Sequence, residues 1–268
     1  MTVALALITK DEEQWLPRAL KSADGFVDEV FVLDTGSDDR TVEIAEELGA
    51  TVASIPWKGF GDARTELLSL TRKFDWTLMV DADMTVEAHK DLKAWLETDP
   101  DPEVAAWQVS IEDDGMTWRL PRLTRGGLEW QYVGKAHEYL DPAGRKQRPL
   151  LGLALRNHRP ANNTDREWLL EQLLPDVGKD PRATYYAAQT LHVLGRTDEA
   201  VEMYGRRAAM GGWEEERWHA DYMRAKLSRN IDLLHAVYRR RPWRHEPLTA
   251  ITNILRETPH DDVLFLEA

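Results

Sequence analysis

Phe74-Asp75-Trp76-Thr77-Leu78-Met79-Val80-Asp81-Ala82-Asp83-Met84 is the stretch that decides the fold. Trp76 to Val80 is a short apolar run with strand character, and it delivers two carboxylates, Asp81 and Asp83, at its C-terminal end. Side chains two apart on a strand point to the same face, so both carboxylates can address one spot. Two hard oxygen donors on one spot suit Mg2+ or Mn2+, ions that usually accompany a bound phosphate. In open α/β sheets, ligands bind outside the carboxyl ends of strands. The plainer alternative is a polar turn that ends a strand, and the surrounding chain decides between the two.

Upstream of this stretch, strands and helices alternate. Val3 to Ile8 reads as a buried strand and Asp11 to Ser22 as a helix with Leu16, Ala19 and Leu20 on one face. Val30 to Leu33 is a second strand. Thr35-Gly36-Ser37 is a turn, and Asp38 or Asp39 is placed to cap a helix over 41–48 that ends at Gly49. Thr51 to Ile55 is a third strand, Asp62 to Arg72 a helix and Trp76 to Val80 the fourth strand. This alternation predicts a parallel sheet with right-handed crossovers, a doubly wound nucleotide-binding core over about residues 1–115. Residues 104–111, 117–123 and 130–140 read as further strands of a mixed extension reaching about residue 160. From Asp165 onward the pattern is helical. Tyr185 to Gly195 and Thr197 to Met210 form a helical hairpin in which Ala187, Ala188, Leu191, Gly195, Ala200 and Tyr204 have tetratricopeptide spacing. A degenerate second unit covers Trp213 to Leu227, and a third begins near Arg244-His245-Glu246-Pro247.

Composition narrows the function. The 268 residues contain no cysteine, which excludes disulfides, zinc–thiolate sites and thiol nucleophiles. The net charge of −13 disfavours nucleic-acid binding, which draws its affinity from Lys and Arg. No apolar run is long enough to span a bilayer, and the start of the chain reads as a buried strand, so a cytoplasmic protein is expected. There are eleven tryptophans. Trp107, Trp118 and Trp130 are candidates for sugar or acceptor stacking, with core packing as the alternative.

The chain has no GxGxxG after its first strand and no Walker A lysine motif, so a bound diphosphate must find positive charge elsewhere. Asp34 closes the second strand as Asp81 closes the fourth, and acidic residues there can accept from ribose hydroxyls or a base N–H. Arg64 is a candidate phosphate ligand, its guanidinium matching phosphate oxygens bidentately, or the partner in a surface ion pair. His137-Glu138 follows an aromatic-rich strand, and either residue is a candidate general base or a structural hydrogen-bonding group. His158 is a candidate third metal ligand beside Asp83, or a structural histidine at the junction of the two halves.

Taken together, these segments resemble glycosyltransferase family 2, the GT-A fold. Ile8-Thr9-Lys10-Asp11-Glu12-Glu13 is similar to the family's Val-Lys-Asn-Glu-Glu. Asp34-Thr35-Gly36-Ser37-Asp38-Asp39-Arg40-Thr41 resembles its Asp-Thr-Gly-Ser-x-Asp-x-Thr segment. Phe60-Gly61-Asp62-Ala63-Arg64-Thr65 resembles its Phe-x-x-Ala-Arg-Asn helix start, and Asp81-Ala82-Asp83 its DXD motif. Gly134-Lys135-Ala136-His137-Glu138 and His158 resemble the subgroup with C-terminal tetratricopeptide repeats. Asp11 and Thr65 stand where the family usually has Asn.

The resemblance implies an α/β GT-A (Rossmann-like) nucleotide-sugar-binding domain over 1–164 and an all-α tetratricopeptide-like domain over 165–268. It also implies a metal-dependent, inverting transferase that moves a sugar from a nucleotide diphosphate sugar, expected to be a UDP-sugar. Thr9, Glu12, Asp34, Arg64, Asp81 and Ala82 would contact the donor. Asp83, His158 and Asp81 would serve the Mn2+ or Mg2+, and Glu138 or His137 would act at the acceptor. The helical half presents a groove of the kind that holds peptides, which favours a protein or peptide acceptor. A sugar nucleotidyltransferase is one rival, although its Gly-rich loop is missing. A non-catalytic repeat scaffold is the other.

Overall fold

The computed structural model describes residues 1–98, 100–160 and 163–257, with side chains from 166 in the last segment. The chain divides into two compact units, Met1–Ala161 and Asn162–Ala268. In chain order the first unit contains β1 (Val3–Thr9), α1 (Leu16–Ser22), β2 (Glu29–Asp34), α2 (Thr41–Glu47), β3 (Thr51–Ser54), α3 (Phe60–Leu70) and β4 (Trp76–Asp81). It continues with β5 (Met84–Ala88), α4 (Leu92–Glu97), β6 (Val104–Asp113), β7 (Met116–Arg125), β8 (Tyr132–Val133), β9 (Tyr139–Leu140) and β10 (Lys146–Asn157).

One eight-stranded sheet runs β3-β2-β1-β4-β7-β6-β10-β5. The first four strands in this order are parallel, as the alternation predicts. The mixed extension expected beyond the parallel core continues the same sheet, because β7 pairs antiparallel with β4. Strands β5 and β10 were not foreseen. β5 follows the Asp-Ala-Asp turn so closely that it reads as loop. β10 carries Pro149 and Gly152, which sequence reading takes for a turn and which the sheet accommodates as a register shift between Pro149 and Ala154. The strand expected over 130–140 is instead a two-stranded hairpin, β8 and β9, broken by Gly134 at φ 103° and His137 at φ 50°.

β1 is central, and its two faces serve two cores. Val3, Leu5 and Leu7 pack with Leu16, Ala19 and Leu20 of α1, whereas Ala4 and Ala6 pack with Ala63 and Leu67 of α3. Helix α1 starts at Leu16, later than the expected Asp11. Asp11 is left-handed at φ 55°, Pro17 sits in the first turn, and the intervening backbone is bonded elsewhere. Asp11 N–H donates to Ser37 Oγ at 2.9 Å, Glu12 N–H to Thr41 Oγ1 at 2.7 Å and Glu13 N–H to Asp39 Oδ2 at 3.1 Å. Asp38 N–H returns a bond to Asp11 Oδ1 at 2.8 Å. The polar runs after β1 and β2 therefore form one knitted loop pair. Asp39 also takes the Thr41 N–H at 2.9 Å, but the N-cap position belongs to Arg40, so neither Asp38 nor Asp39 is the cap that the sequence suggested. Gly49, at φ 82°, closes α2 with its N–H on Glu46.

The second unit is helical, as expected: α5 (Asn163–Leu173), a 3-10 turn (Leu174–Asp176), α6 (Pro181–Val193), α7 (Thr197–Ala209), α8 (Glu214–Leu227), α9 (Ile231–Arg240) and α10 (Glu246–Glu257). Helix α9 was missed in the sequence. Tyr204 of α7 is buried, as are Ala187, Ala188 and Ala200, small residues that let helices approach. Tyr185 Oη lies 2.8 Å from His219 Nδ1, and Arg182 reaches Glu216 at 3.4 Å; each pair is 34 residues apart, joining equivalent positions of α6 and α8. No described helix is long and apolar enough to cross a membrane.

Candidate active site

Sheet register gathers the first group of expected residues. At the C-terminal ends of adjacent strands, Thr9 of β1 pairs with Asp34 of β2, and Ile8 pairs with Asp81 of β4. Thr9 is buried and its hydroxyl lacks a hydrogen-bond partner, while its carbonyl accepts the Thr35 N–H and hydroxyl at 2.9 and 3.0 Å. Asp34 turns back on its own loop, taking the Gly36 N–H at 3.0 Å and the Ser37 hydroxyl at 2.5 Å. Ala82 is buried in the apolar cluster that contains β1, so its backbone rather than its side chain borders the site.

Asp81 sits between two arginines. Arg64 Nη2 donates to Oδ1 at 2.5 Å and Arg122 Nη2 to Oδ2 at 3.0 Å. Burial alone would raise the Asp81 pKa; Arg122 and Arg64 outweigh it and hold the carboxyl well below the usual carboxylate range. Arg64 also donates Nε to Glu138 Oε1 at 2.6 Å. Burial opposes its charge, but Asp81 and Glu138 keep it firmly protonated. One buried chain of charge thus runs Glu138–Arg64–Asp81–Arg122.

Glycines make that chain possible. The first turn of α3 docks on the loop after β8, with Phe60 N–H on Lys135 O at 2.7 Å and Gly61 N–H on Gly134 O at 3.1 Å. A Cβ on Gly61 would lie 2.3 Å from the Gly134 carbonyl oxygen. The absent side chain lets α3 approach the loop, and the approach brings Arg64 to Glu138. His137 is next to Glu138 with left-handed backbone; the hydrogen bond to Arg64 belongs to Glu138.

The second group lies across the β4–β5 turn. Arg159 ion-pairs with Glu12 through Nη2 and with Asp83 through Nε, the latter at 3.2 Å. Burial raises the Glu12 pKa to about 7, with Arg159 opposing it and Asp83 and Asp39 adding to it. Asp83 is also raised, by burial first and then by Asp81. His158 donates its backbone N–H to the Asp83 carbonyl at 3.1 Å, and its Nε2 lies 2.8 Å from Thr85 Oγ1. Burial, with Arg18 and Arg156 nearby, lowers its pKa and favours the neutral ring.

Asp81, Asp83 and His158 are therefore neighbours, but each side chain has another partner. Among the described residues no group of three His, Cys, Asp or Glu side chains is arranged to hold a metal. Glu12 and Asp83 nevertheless converge on a cation, the guanidinium of Arg159. That donor set fits a divalent ion bound by one or two carboxylates and completed by water and phosphate oxygens.

Arg122 and Arg159 were missed in the sequence. Arg159 directly follows His158, and that adjacency was the available signal. Arg122 gave none beyond its place in a strand. Of the tryptophans proposed for stacking, Trp107 is buried against Trp76 and Trp95, at ring distances of 6.5 and 5.5 Å, and Trp130 is buried with its Nε1 on Arg125 O at 2.9 Å. Both are core residues, and Trp118 alone of the three is exposed.

Comparison with known proteins supplies the family. A TPR repeat-containing protein of Synechococcus elongatus is 37% identical over 146 residues, which are 52% of this chain and 35% of that relative. The chain thus spans about a third of the length of the curated relatives it matches. Glucosyl-3-phosphoglycerate synthase from Mycobacterium tuberculosis, solved with Mn2+, UDP and glucosyl-3-phosphoglycerate, is 27% identical over 42% of this chain and 43% of its own, with a TM-score of 0.32. TarS of S. aureus, residues 1–349, covers 90% of this chain and 92% of its own at a TM-score of 0.52 and 15% identity, a likeness of fold alone. Residues 5–157, more than half of the protein, match the description Glycosyl transferase family 2, and the chain belongs to that family.

Proposed function

We propose that this protein is a metal-dependent glycosyltransferase that moves a sugar from a nucleotide diphosphate sugar, with a UDP-sugar as the expected donor, to an acceptor hydroxyl. The observation that carries this reading is the convergence of Thr9, Asp34 and Asp81 at adjacent strand ends, with Arg64 tying Asp81 to Glu138. In this reading Thr9, Asp34 and Glu12 line the nucleoside side, and Asp81 and the Ala82 backbone face the ribose. Asp83, with His158 and Asp81 beside it, would hold Mn2+ or Mg2+, which when bound offsets negative charge on the departing diphosphate.

Glu138 takes the acceptor proton as the acceptor oxygen forms its bond to the anomeric carbon and the carbon–phosphate oxygen bond breaks, releasing the nucleoside diphosphate. In-line attack inverts the anomeric configuration. Arg64 orients Glu138 through its Nε, a bond that His137 does not share, so Glu138 is preferred as base. Residues 1–164 form the transferase domain. Residues 165–268 form a tetratricopeptide-like domain, a reading supported by the 34-residue offset of Tyr185–His219 and Arg182–Glu216. Such a domain suits a protein or peptide acceptor.

The test is a donor-hydrolysis screen across sugar nucleotides with Mn2+ and Mg2+, run on the wild type and on Asp83→Ala. Metal-dependent hydrolysis of one donor, lost in Asp83→Ala, supports the reading. Undiminished turnover in Asp83→Ala would show that the metal role is wrong. A wild type that neither binds nor hydrolyses any sugar nucleotide would favour a scaffold.

A further inference from the structure

Glu12 lies in the loop after β1 and Asp83 in the turn after β4, yet both carboxylates close on the single guanidinium of Arg159. Its backbone is fixed: Arg159 N–H donates to Asn157 Oδ1 at 3.1 Å, and the preceding His158 N–H holds the Asp83 carbonyl. Its side chain is only partly buried, and its buried Nε, although 3.2 Å from Asp83, makes no hydrogen bond that would lock it in place. It retains 31% of its exposure and lies 6.0 Å from the Trp15 ring, so the guanidinium can swing out while the backbone stays.

We propose that Arg159 is a built-in counter-cation of the donor site, occupying the place between Glu12 and Asp83 when no donor is bound and vacating it when a divalent cation and a nucleoside diphosphate enter together. This rests on the donor-site reading above. A guanidinium and a divalent cation cannot both sit at contact distance on the Asp83 carboxylate, because like charges so close repel strongly. Metal alone must evict Arg159 with nothing to receive it. Metal arriving with a diphosphate brings fresh negative charge, which the displaced guanidinium can pair with bidentately. The consequence is coupled binding: weak affinity for the free metal and tight affinity for metal with nucleotide. The coupling is reciprocal by linkage.

The experiment measures Mn2+ binding to the full chain by calorimetry and by the electron paramagnetic resonance of free Mn2+, with and without UDP. It compares the wild type, Arg159→Met, Arg159→Lys and Asp83→Asn. With the guanidinium gone, Arg159→Met should bind Mn2+ alone about tenfold more tightly than the wild type and lose most of the gain that UDP brings. Arg159→Lys keeps the charge and should keep free-metal binding weak. A purely structural arginine would give the opposite sign, since its loss loosens the site. The proposal is overturned if Arg159→Met binds Mn2+ alone no better than the wild type, or if Arg159→Lys tightens binding as much as Arg159→Met. If the wild type binds Mn2+ with UDP and Asp83→Asn abolishes this while Arg159→Met changes nothing, only the Arg159 proposal falls. If the wild type binds no Mn2+ with UDP at all, the donor-site reading falls with it.

Discussion

The Nε of Arg64 donates to Oε1 of Glu138 at 2.6 Å across 74 residues of chain, while the same guanidinium reaches Asp81 at 2.5 Å. The proposed base and the first carboxylate of the Asp-Ala-Asp motif are thus two ends of one buried charge chain. Replacing Arg64 by Met leaves Glu138 and one oxygen of Asp81 without their cation in a partly buried site, although Arg122 still holds Asp81. The expected loss of stability is about 3 kcal/mol, at the lower end for a broken buried pair because of that remaining partner. Urea unfolding measures it, and a change below about 0.5 kcal/mol, the range of ordinary surface substitutions, would count against the chain as described.

Gly61→Ala tests the close approach that builds this pair. The added Cβ would meet the Gly134 carbonyl oxygen at 2.3 Å, a backbone atom that cannot rotate away. The first turn of α3 must therefore shift off the loop, carrying Arg64 from Glu138. Donor turnover should fall at least about tenfold, since small misplacements of catalytic groups are costly. Gly205→Ala serves as the control. It lies inside α7, where a new Cβ meets only the Arg224 side chain at 3.5 Å. It should raise stability by about 0.5–1 kcal/mol and leave turnover unchanged.

Glu12 and Asp81 pull the pH dependence in opposite directions. Asp81 has a folded pKa below its unfolded value, so its contribution is present above about pH 4 and is lost as pH falls through the folded value. Glu12 has a folded pKa raised from 4.5 to about 7, so its contribution is full below 4.5 and is lost as pH rises through 7. Metal-free protein should lose stability between about pH 4.5 and 7, on the order of 1 kcal/mol once solvent screening is allowed for. Glu12→Gln should flatten that slope in unfolding curves taken with chelator present. An unchanged slope would place the titration elsewhere.

The parallel half of the sheet was legible because each of its strands is a short apolar run closed by a polar residue, and because Gly49 marks the end of α2. Motif order brought Asp34, Arg64, Asp81 and Glu138 into one expectation; in the structure Arg64 joins Asp81 to Glu138, while Asp34 ends β2, two strands away from β4 in the sheet. What pairs them was not legible. Arg159 meets Glu12 across 147 residues, and no local period encodes that distance. Arg122 lies on β7, mostly exposed along its first half, so its burial depends on β4 pairing beside it. β10 was hidden by Pro149 and Gly152, which its register shift absorbs. Hydrogen bonds between the loops after β1 and β2 delayed the start of α1, overriding local helix preference.

The helical unit offers a test of its own. Arg207 is fully buried and donates Nε and Nη2 to Glu216 Oε2 at 3.2 and 3.0 Å, Nη1 to the Gly211 carbonyl and Nη2 to the Trp213 carbonyl. It therefore neutralises a buried carboxylate and ties down the turn between α7 and α8. Arg207→Met removes both functions, leaving Glu216 only the longer contact to Arg182 at 3.4 Å, and should destabilise the unit by about 3–5 kcal/mol. Adding Glu216→Leu removes the orphaned charge and should recover part of that loss. Recovery stays incomplete because the exposed turn still loses the Arg207 hydrogen bonds to the Gly211 and Trp213 carbonyls, at about 0.5–1.5 kcal/mol for a typical net hydrogen bond. A double-mutant cycle by chemical denaturation separates the two contributions. Full recovery in the double variant would mean that the carbonyl contacts do not hold the turn, and no recovery would mean that the charge was never the cost.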